Sequence, residues 1–147
     1  MDTGFTQPQA DASSTSQSPG KILSVSPLAA DHAYLRRVGE KNCWETHEAY
    51  GCREAMVAIA EQHPDVILCE AKLPDGGWMT LLENLSHRLN PPRLIVTSRL
   101  ADDYLWAEAL NLGAYDVLHK PFDEEEVRRV VGFACECDRI SVNRTAA

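Results

Sequence analysis

The run Val66-Ile67-Leu68-Cys69-Glu70 constrains this chain more than any other stretch. Apolar residues without a polar interruption read as a strand buried on both faces, which is what the centre of a parallel sheet requires. The run stops at a carboxylate, Glu70, and Pro74, Gly76 and Gly77 then impose a turn before the next amphipathic segment. In open α/β folds, ligands and chemistry collect at the carboxyl ends of the strands. Glu70 therefore stands where a site is expected.

The rest of the chain alternates around that strand. Residues 21–25 form a short apolar strand closed by Ser26-Pro27, and the spacing of Leu28, Tyr34, Leu35 and Val38 predicts a helix over 29–40, with Arg36, Arg37 and Glu40 on its wet side. Residues 43–48 alternate as a half-exposed strand. A helix over 52–62 places Ala55, Met56, Ile59 and Ala60 on one face and ends at His63-Pro64. Residues 78–89 read as a helix through Met79, Leu81, Leu82 and Leu85, stopped by Pro91-Pro92. Leu94-Ile95-Val96 is a fourth strand that delivers Thr97 and Ser98 to its carboxyl end. A helix over 102–112 stops at Gly113. A fifth strand over 115–118 leads to His119-Lys120-Pro121-Phe122, and Asp123 caps a last helix that opens with Glu124, Glu125 and Glu126.

Five strands alternating with five helices imply a doubly wound five-stranded parallel sheet, flavodoxin-like, with helices on both faces and right-handed crossovers. The polar residues at the carboxyl ends of the strands then converge on one edge: Ser26 and Pro27, Glu70, Thr97 or Ser98, and Lys120. The 147 residues suit one domain. Residues 1–20, rich in Ser, Thr, Gln, Gly and Pro, are expected to be a disordered tail; 21–137 form the domain, and 138–147 form a polar C-terminal tail.

Composition narrows the function. No apolar run approaches the roughly 20 residues of a membrane span, and the N-terminus lacks the basic start and apolar stretch of a signal peptide. Five cysteines without a repeated spacing fit a reducing compartment. The expected location is the cytoplasm. Cys135-Glu136-Cys137 has no partner cluster and is no zinc site. A net charge of −8 without a basic block argues against nucleic acid.

The chain resembles the receiver domains of two-component response regulators over residues 21 to 137. The segment Gly113-Ala114-Tyr115-Asp116-Val117-Leu118-His119-Lys120-Pro121-Phe122 looks like the family's GAxDYLxKPF, and Pro64 to Glu70 with Leu73-Pro74-Asp75-Gly76-Gly77 is similar to its phosphoacceptor strand and loop. By this resemblance Lys120 matches the family's lysine, and the Lys120-Pro121 bond is expected to be cis. The departures fall at the reactive positions. The acidic pair that holds Mg²⁺ matches Ser26 and Pro27, the phosphoacceptor aspartate matches Glu70, and the switch aromatic matches Val117. The hydroxyl is Thr97 counted forward from Pro92 and Ser98 counted back from Gly113, with Ser98 preferred.

Mg²⁺ wants oxygen ligands in near-octahedral geometry, and Pro27 offers no side-chain oxygen. No metal or other cofactor is expected. Glu70, one methylene longer than aspartate, is expected to pair with Lys120, either mimicking a phosphorylated receiver or serving as a structural pair alone. The expectation is a pseudo-receiver that signals by protein-protein contact and is not an enzyme. Its partner is a kinase, another regulator or a second copy of itself, and the partner face includes Trp106 and Tyr115. No output domain is expected on this chain. The alternative is a phosphoacceptor modified at Glu70 by a histidine kinase or small phosphodonor. A flavin- or nucleotide-binding relative is disfavoured because Ser26-Pro27-Leu28 makes no phosphate cradle. His119 lacks a nucleophile and an orienting partner for catalysis, and Asp75 is taken as a structural acid of the loop.

Overall fold

The computed structural model describes residues 20–146, with side chains through Cys135. Strand β1 (Lys21–Val25) is followed by helix α1 (Ala29–Asn42), β2 (Glu45–Ala49), α2 (Cys52–Gln62) and the central β3 (Val66–Glu70). A short antiparallel hairpin, β4 (Lys72–Leu73) with β5 (Gly76–Gly77), leads into α3 (Trp78–Leu85). Then come β6 (Arg93–Ser98), α4 (Asp103–Leu112), β7 (Asp116–His119) and α5 (Glu124–Ala146). Among the described residues, the five longer strands form one parallel sheet in the order β2-β1-β3-β6-β7, with β2 and β7 outermost. This is the doubly wound, flavodoxin-like architecture that the alternation implied.

Alternation along each strand sorts the core into two layers. Leu23, Val25, Ile67, Cys69, Leu94, Val96 and Val117 pack with Ala55 and Ile59 of α2, Trp78, Leu81 and Leu85 of α3, and Ala109 of α4. Ile22, Val66, Leu68, Ile95 and Leu118 pack on the other face with Leu35 and Val38 of α1 and with Val127, Val130, Val131 and Ala134 of α5. The central β3 run is buried on both sides, as an uninterrupted apolar strand must be.

Several boundaries differ from expectation for local reasons. Helix α1 runs two residues past Glu40, and Cys43 closes it in the left-handed conformation with its N–H on the Gly39 carbonyl, so β2 starts at Glu45 rather than Cys43. Helix α3 stops at Leu85, four residues early, as Ser86 and Arg88 tighten into shorter-range bonds ahead of Pro91. Its buried face is Trp78, Leu81 and Leu85, while Met79 is exposed. The backbone of α5 continues helically to Ala146, across the tail expected from 138. The tail expected over 1–20 lies, apart from Gly20, outside the described residues, as do the side chains of Glu136 and Cys137. None of the described helices is long and apolar enough to cross a membrane.

Asp75 has the structural role assigned to it. Its Oδ1 accepts the Cys52 N–H at 2.7 Å and its Oδ2 the Arg53 N–H at 3.0 Å, closing the N-terminus of α2 from across the chain. A Cβ on Gly51 would lie 2.8 Å from Asp75 Oδ1, so the glycine leaves this carboxylate its room. The Arg53 and Cys52 N–H groups hold the Asp75 carboxyl below its ordinary value of 3.8. A carboxyl whose acidity is raised by folding stabilises the fold above its unfolded value and ceases to do so as pH falls through the folded one. Asp75→Ala is therefore expected to lower the urea midpoint at neutral pH. The deficit narrows once pH falls below 3.8 and the wild-type carboxylate takes up its proton. A deficit unchanged by pH would assign the loss to packing instead.

Candidate functional site

Register decides which side chains meet at the carboxyl edge. Glu70 of β3 lies opposite Thr97 of β6, Thr97 opposite Leu118 of β7, and Ser98 opposite His119. Residues two apart share a face, so Glu70, Thr97 and Lys120 follow Leu68, Ile95 and Leu118 onto the side of the sheet covered by α1 and α5. Ser98 and Val117 point to the other side.

On the α1 side, Lys120 Nζ lies 2.6 Å from Glu70 Oε1 and donates to Asp31 Oδ2 at 2.7 Å. The ammonium thus sits between a strand carboxylate and a helix carboxylate. Ser26 Oγ donates to the same Asp31 oxygen at 2.7 Å and accepts the Leu28 N–H at 3.1 Å, which joins the end of β1 to the first turn of α1. Thr97 Oγ1 donates to Glu70 Oε1 at 3.3 Å. The Lys120 side chain is 4% exposed, against 13% for Asp31 and 16% for Glu70, so solvent screens the cation little. The Lys120-Pro121 peptide is cis, as the resemblance implied.

A second tier supports the first. His32 is buried, with Nε2 at 2.9 Å from the Ser26 carbonyl and Nδ1 at 2.9 Å from Ser24 Oγ. A carbonyl only accepts, so Nε2 carries a proton. The His32 ring packs against Tyr50 at 4.4 Å. Among the described residues, the buried polar side chains are Ser24, Ser26, His32, Thr97, Ser98 and Lys120. All of them belong to this end of the sheet, while the remaining core is apolar.

The structure brings Glu70, Lys120, Ser26 and Thr97 together and separates Ser98 from them. Ser98 Oγ accepts the Leu100 N–H at 3.0 Å, and Thr97 is the hydroxyl that reaches Glu70. Ser98, the hydroxyl preferred from the sequence, lies one residue on from Thr97, which in a strand reverses the face. Val117 is buried in the α2–α4 layer. Trp106 is about half exposed on α4, with Ala109 buried beneath that helix. Tyr115, expected on the same face, packs instead against the α1–α5 layer with the Arg93 guanidinium 5.8 Å over its ring. His119 is an exposed residue at the end of β7. Burial pushes the Cys69 thiol up and, less completely, that of Cys52, away from nucleophilic use.

Asp31 and His32 were missed by the sequence reading. An acid in the first turn of a helix is ordinary complementarity to the helix dipole, and only the sheet order reveals that this turn lies above Lys120.

Asp31, Glu70 and Ser26 make a poor cradle for the Mg²⁺ that the fold family implies. Both carboxylates are engaged by Lys120, the Ser26 hydroxyl donates its proton to Asp31, and Pro27 has no side-chain oxygen. Mg²⁺ requires several hard oxygens free to turn inward. An incoming phosphoryl group would meet two carboxylates whose shared cation is already committed to them. The arrangement holds opposite charges in a fixed geometry at the ends of β3, β7 and α1.

Comparison with known proteins agrees with the architecture. A family model described as the response regulator receiver domain matches residues 30–132. The regulatory protein AtoC of Escherichia coli is 37% identical over 89 residues, covering 60% of this chain and 19% of AtoC. The sensory transduction protein LytT of Enterococcus faecalis is 32% identical over 110 residues, covering 75% of this chain and 45% of LytT. The chain thus spans less than half the length of these relatives. The crystal structure of the signal receiver domain of a putative Luxo repressor protein from Vibrio parahaemolyticus superimposes with a TM-score of 0.79 over 84% of this chain and 95% of that one, at 18% identity. That likeness concerns the fold.

Proposed function

Since this chain belongs to the response regulator receiver domain family, we propose that it is a pseudo-receiver, a cytoplasmic signalling module that acts by protein-protein contact without Mg²⁺-dependent phosphorylation. The observation that carries this reading is the position of Lys120 between Glu70 and Asp31, at 2.6 and 2.7 Å. Phosphoryl transfer depends on positioning and on neutralising charge around the transferred group. Here the neutralising cation is already bound from both sides, and Ser26 and Pro27 stand where the family holds its metal-binding acids. Val117 in place of the switch aromatic supports a module that does not report a change at the site through a ring rotation.

Partner binding is assigned to side-chain surfaces. Trp106, 48% exposed on α4, offers the large amphipathic contact that interface centres favour. The partner is a kinase, a regulator or a second copy of this chain, and the net charge of −8 disfavours nucleic acid.

The bond from Thr97 to Glu70 favours one rival reading. A hydroxyl and a lysine beside a carboxylate are two parts of a phosphoryl-binding site, so Glu70 as phosphoacceptor is the alternative. The test is intact mass and tryptophan emission with acetyl phosphate or beryllofluoride, with and without Mg²⁺. The pseudo-receiver is expected to show no adduct and no change in emission. A Mg²⁺-dependent adduct that disappears in Glu70→Gln would overturn it in favour of the phosphoacceptor.

A further inference from the structure

Asp31 does more than complete a charge cluster, because it is the first of several residues through which α1 grips one segment of chain. Three residues further along the helix, Tyr34 stacks on Phe122 with ring centroids 5.1 Å apart and planes inclined by 22°. Seven residues beyond that, Lys41 Nζ lies 3.1 Å from Glu124 Oε2. These positions follow the helical repeat along one side of α1, with Val38 of the same side buried against the α5 layer. Their partners, Lys120, Phe122 and Glu124, alternate along the link from β7 into α5. The seam therefore has a buried ionic end, an aromatic middle and an exposed ionic end.

The connection towards α4 is weaker. Thr97 reaches Glu70 at 3.3 Å, Ser98 faces the other way, and Val117 brings only an apolar side chain to its layer. Among the described residues, a change in charge at Glu70 or Lys120 has a short polar route into α1 through Asp31 and no comparable one into α4.

We propose that Asp31 is a positioning residue that fixes Lys120, and that charge at this site is coupled through it to the seam between α1 and the β7–α5 link rather than to α4. The proposal rests on the pseudo-receiver reading and deepens it, since a lysine held from two sides is a strut joining two elements. The seam is then the part of the surface whose order depends on the site. A single packed arrangement with two ionic ends is the kind of element whose local opening can be biased at one end and felt at the other.

Hydrogen-exchange mass spectrometry on the full chain tests this. Asp31→Asn is expected to speed exchange about tenfold in peptides covering both 29–42 and 116–127, while 97–112 keeps its wild-type rate. Asp31→Glu is expected to restore much of the protection. Ser26→Ala removes the hydroxyl that bonds both Asp31 and the Leu28 N–H; it is expected to give a smaller acceleration in the same two peptides, and the response of 116–127, remote from the Leu28 bond, keeps the test decisive if Asp31→Asn does not fold. Acceleration confined to 29–42, or shared equally by 97–112, overturns the proposal, as does an unchanged pattern in Ser26→Ala together with a failed Asp31→Asn. Intact mass of the wild type with acetyl phosphate and Mg²⁺, run in parallel, separates the two ideas. An adduct refutes the pseudo-receiver, whereas the exchange pattern judges Asp31.

Discussion

Replacing Lys120 with methionine is expected to lower the unfolding free energy by about 3 kcal/mol, because it leaves two carboxylates facing each other without their cation. The side chain is 4% exposed and satisfies Asp31 and Glu70 at once, and among the described residues neither acid is paired with a second cation. Both acids keep some access to water, which places the loss at the lower end of the range for a broken buried pair. For a domain of this size that is a fall of about 10 °C in Tm. Adding Asp31→Asn and Glu70→Gln to Lys120→Met is expected to recover most of the loss, since the penalty lies in the stranded charges and not in the missing contact. Urea denaturation of the single and triple variants reads both effects. A single variant as stable as the wild type would mean that the charged cluster contributes nothing to the fold.

The second large effect is a gain. Ser26→Asp, Pro27→Asp and Glu70→Asp together place acids at the family's metal-binding and acceptor positions. This variant is expected to take up a phosphoryl group from acetyl phosphate in the presence of Mg²⁺, where the wild type takes up none. Added carboxylates supply oxygen ligands for Mg²⁺, and a divalent cation that takes up the carboxylates would leave the lysine to the phosphoryl oxygens. Intact mass detects the adduct, and chelation with EDTA should abolish it. Substituting Glu70→Asn for Glu70→Asp in the same background should abolish it as well. If the adduct forms only after Asp31→Asn is added, the helix acid is the remaining obstruction. If it forms in neither, loss of the acidic pair is not what separates this chain from a phosphorylated receiver.

The fold was largely legible from the sequence, and the site only in part. The run 66–70, the alternation of elements and the segment from Gly113 to Phe122 determine the sheet, because a strand apolar on both sides has to be central. Glu70 and Lys120 follow from the strands they terminate. Asp31 was hidden because its importance depends on α1 lying over the ends of β3 and β7, a fact of sheet order that no local pattern carries. The choice between Thr97 and Ser98 required the register, since adjacent residues of a strand serve opposite layers. Tyr115 lies just before β7, outside the two-residue alternation, and packs against the α1–α5 layer. Helix lengths failed where the cause was a single residue's backbone, as at Cys43, or a tightened last turn, as after Leu85.

The sheet order also governs how this molecule can associate. Its outer strands are β2 and β7. The first carries Glu45, His47 and Glu48, with Glu45 bonded to His47 and Glu48 paired with Arg36. The second is four residues long and folds the Asp116 carboxylate back onto the N–H of Val117 at 2.8 Å. A margin that is charged on one side, and brief and self-bonded on the other, gives a foreign strand little backbone to zip onto. Polymerisation by sheet extension is thereby discouraged, and the outer faces of the helices are left as the surface on which a second molecule can seat.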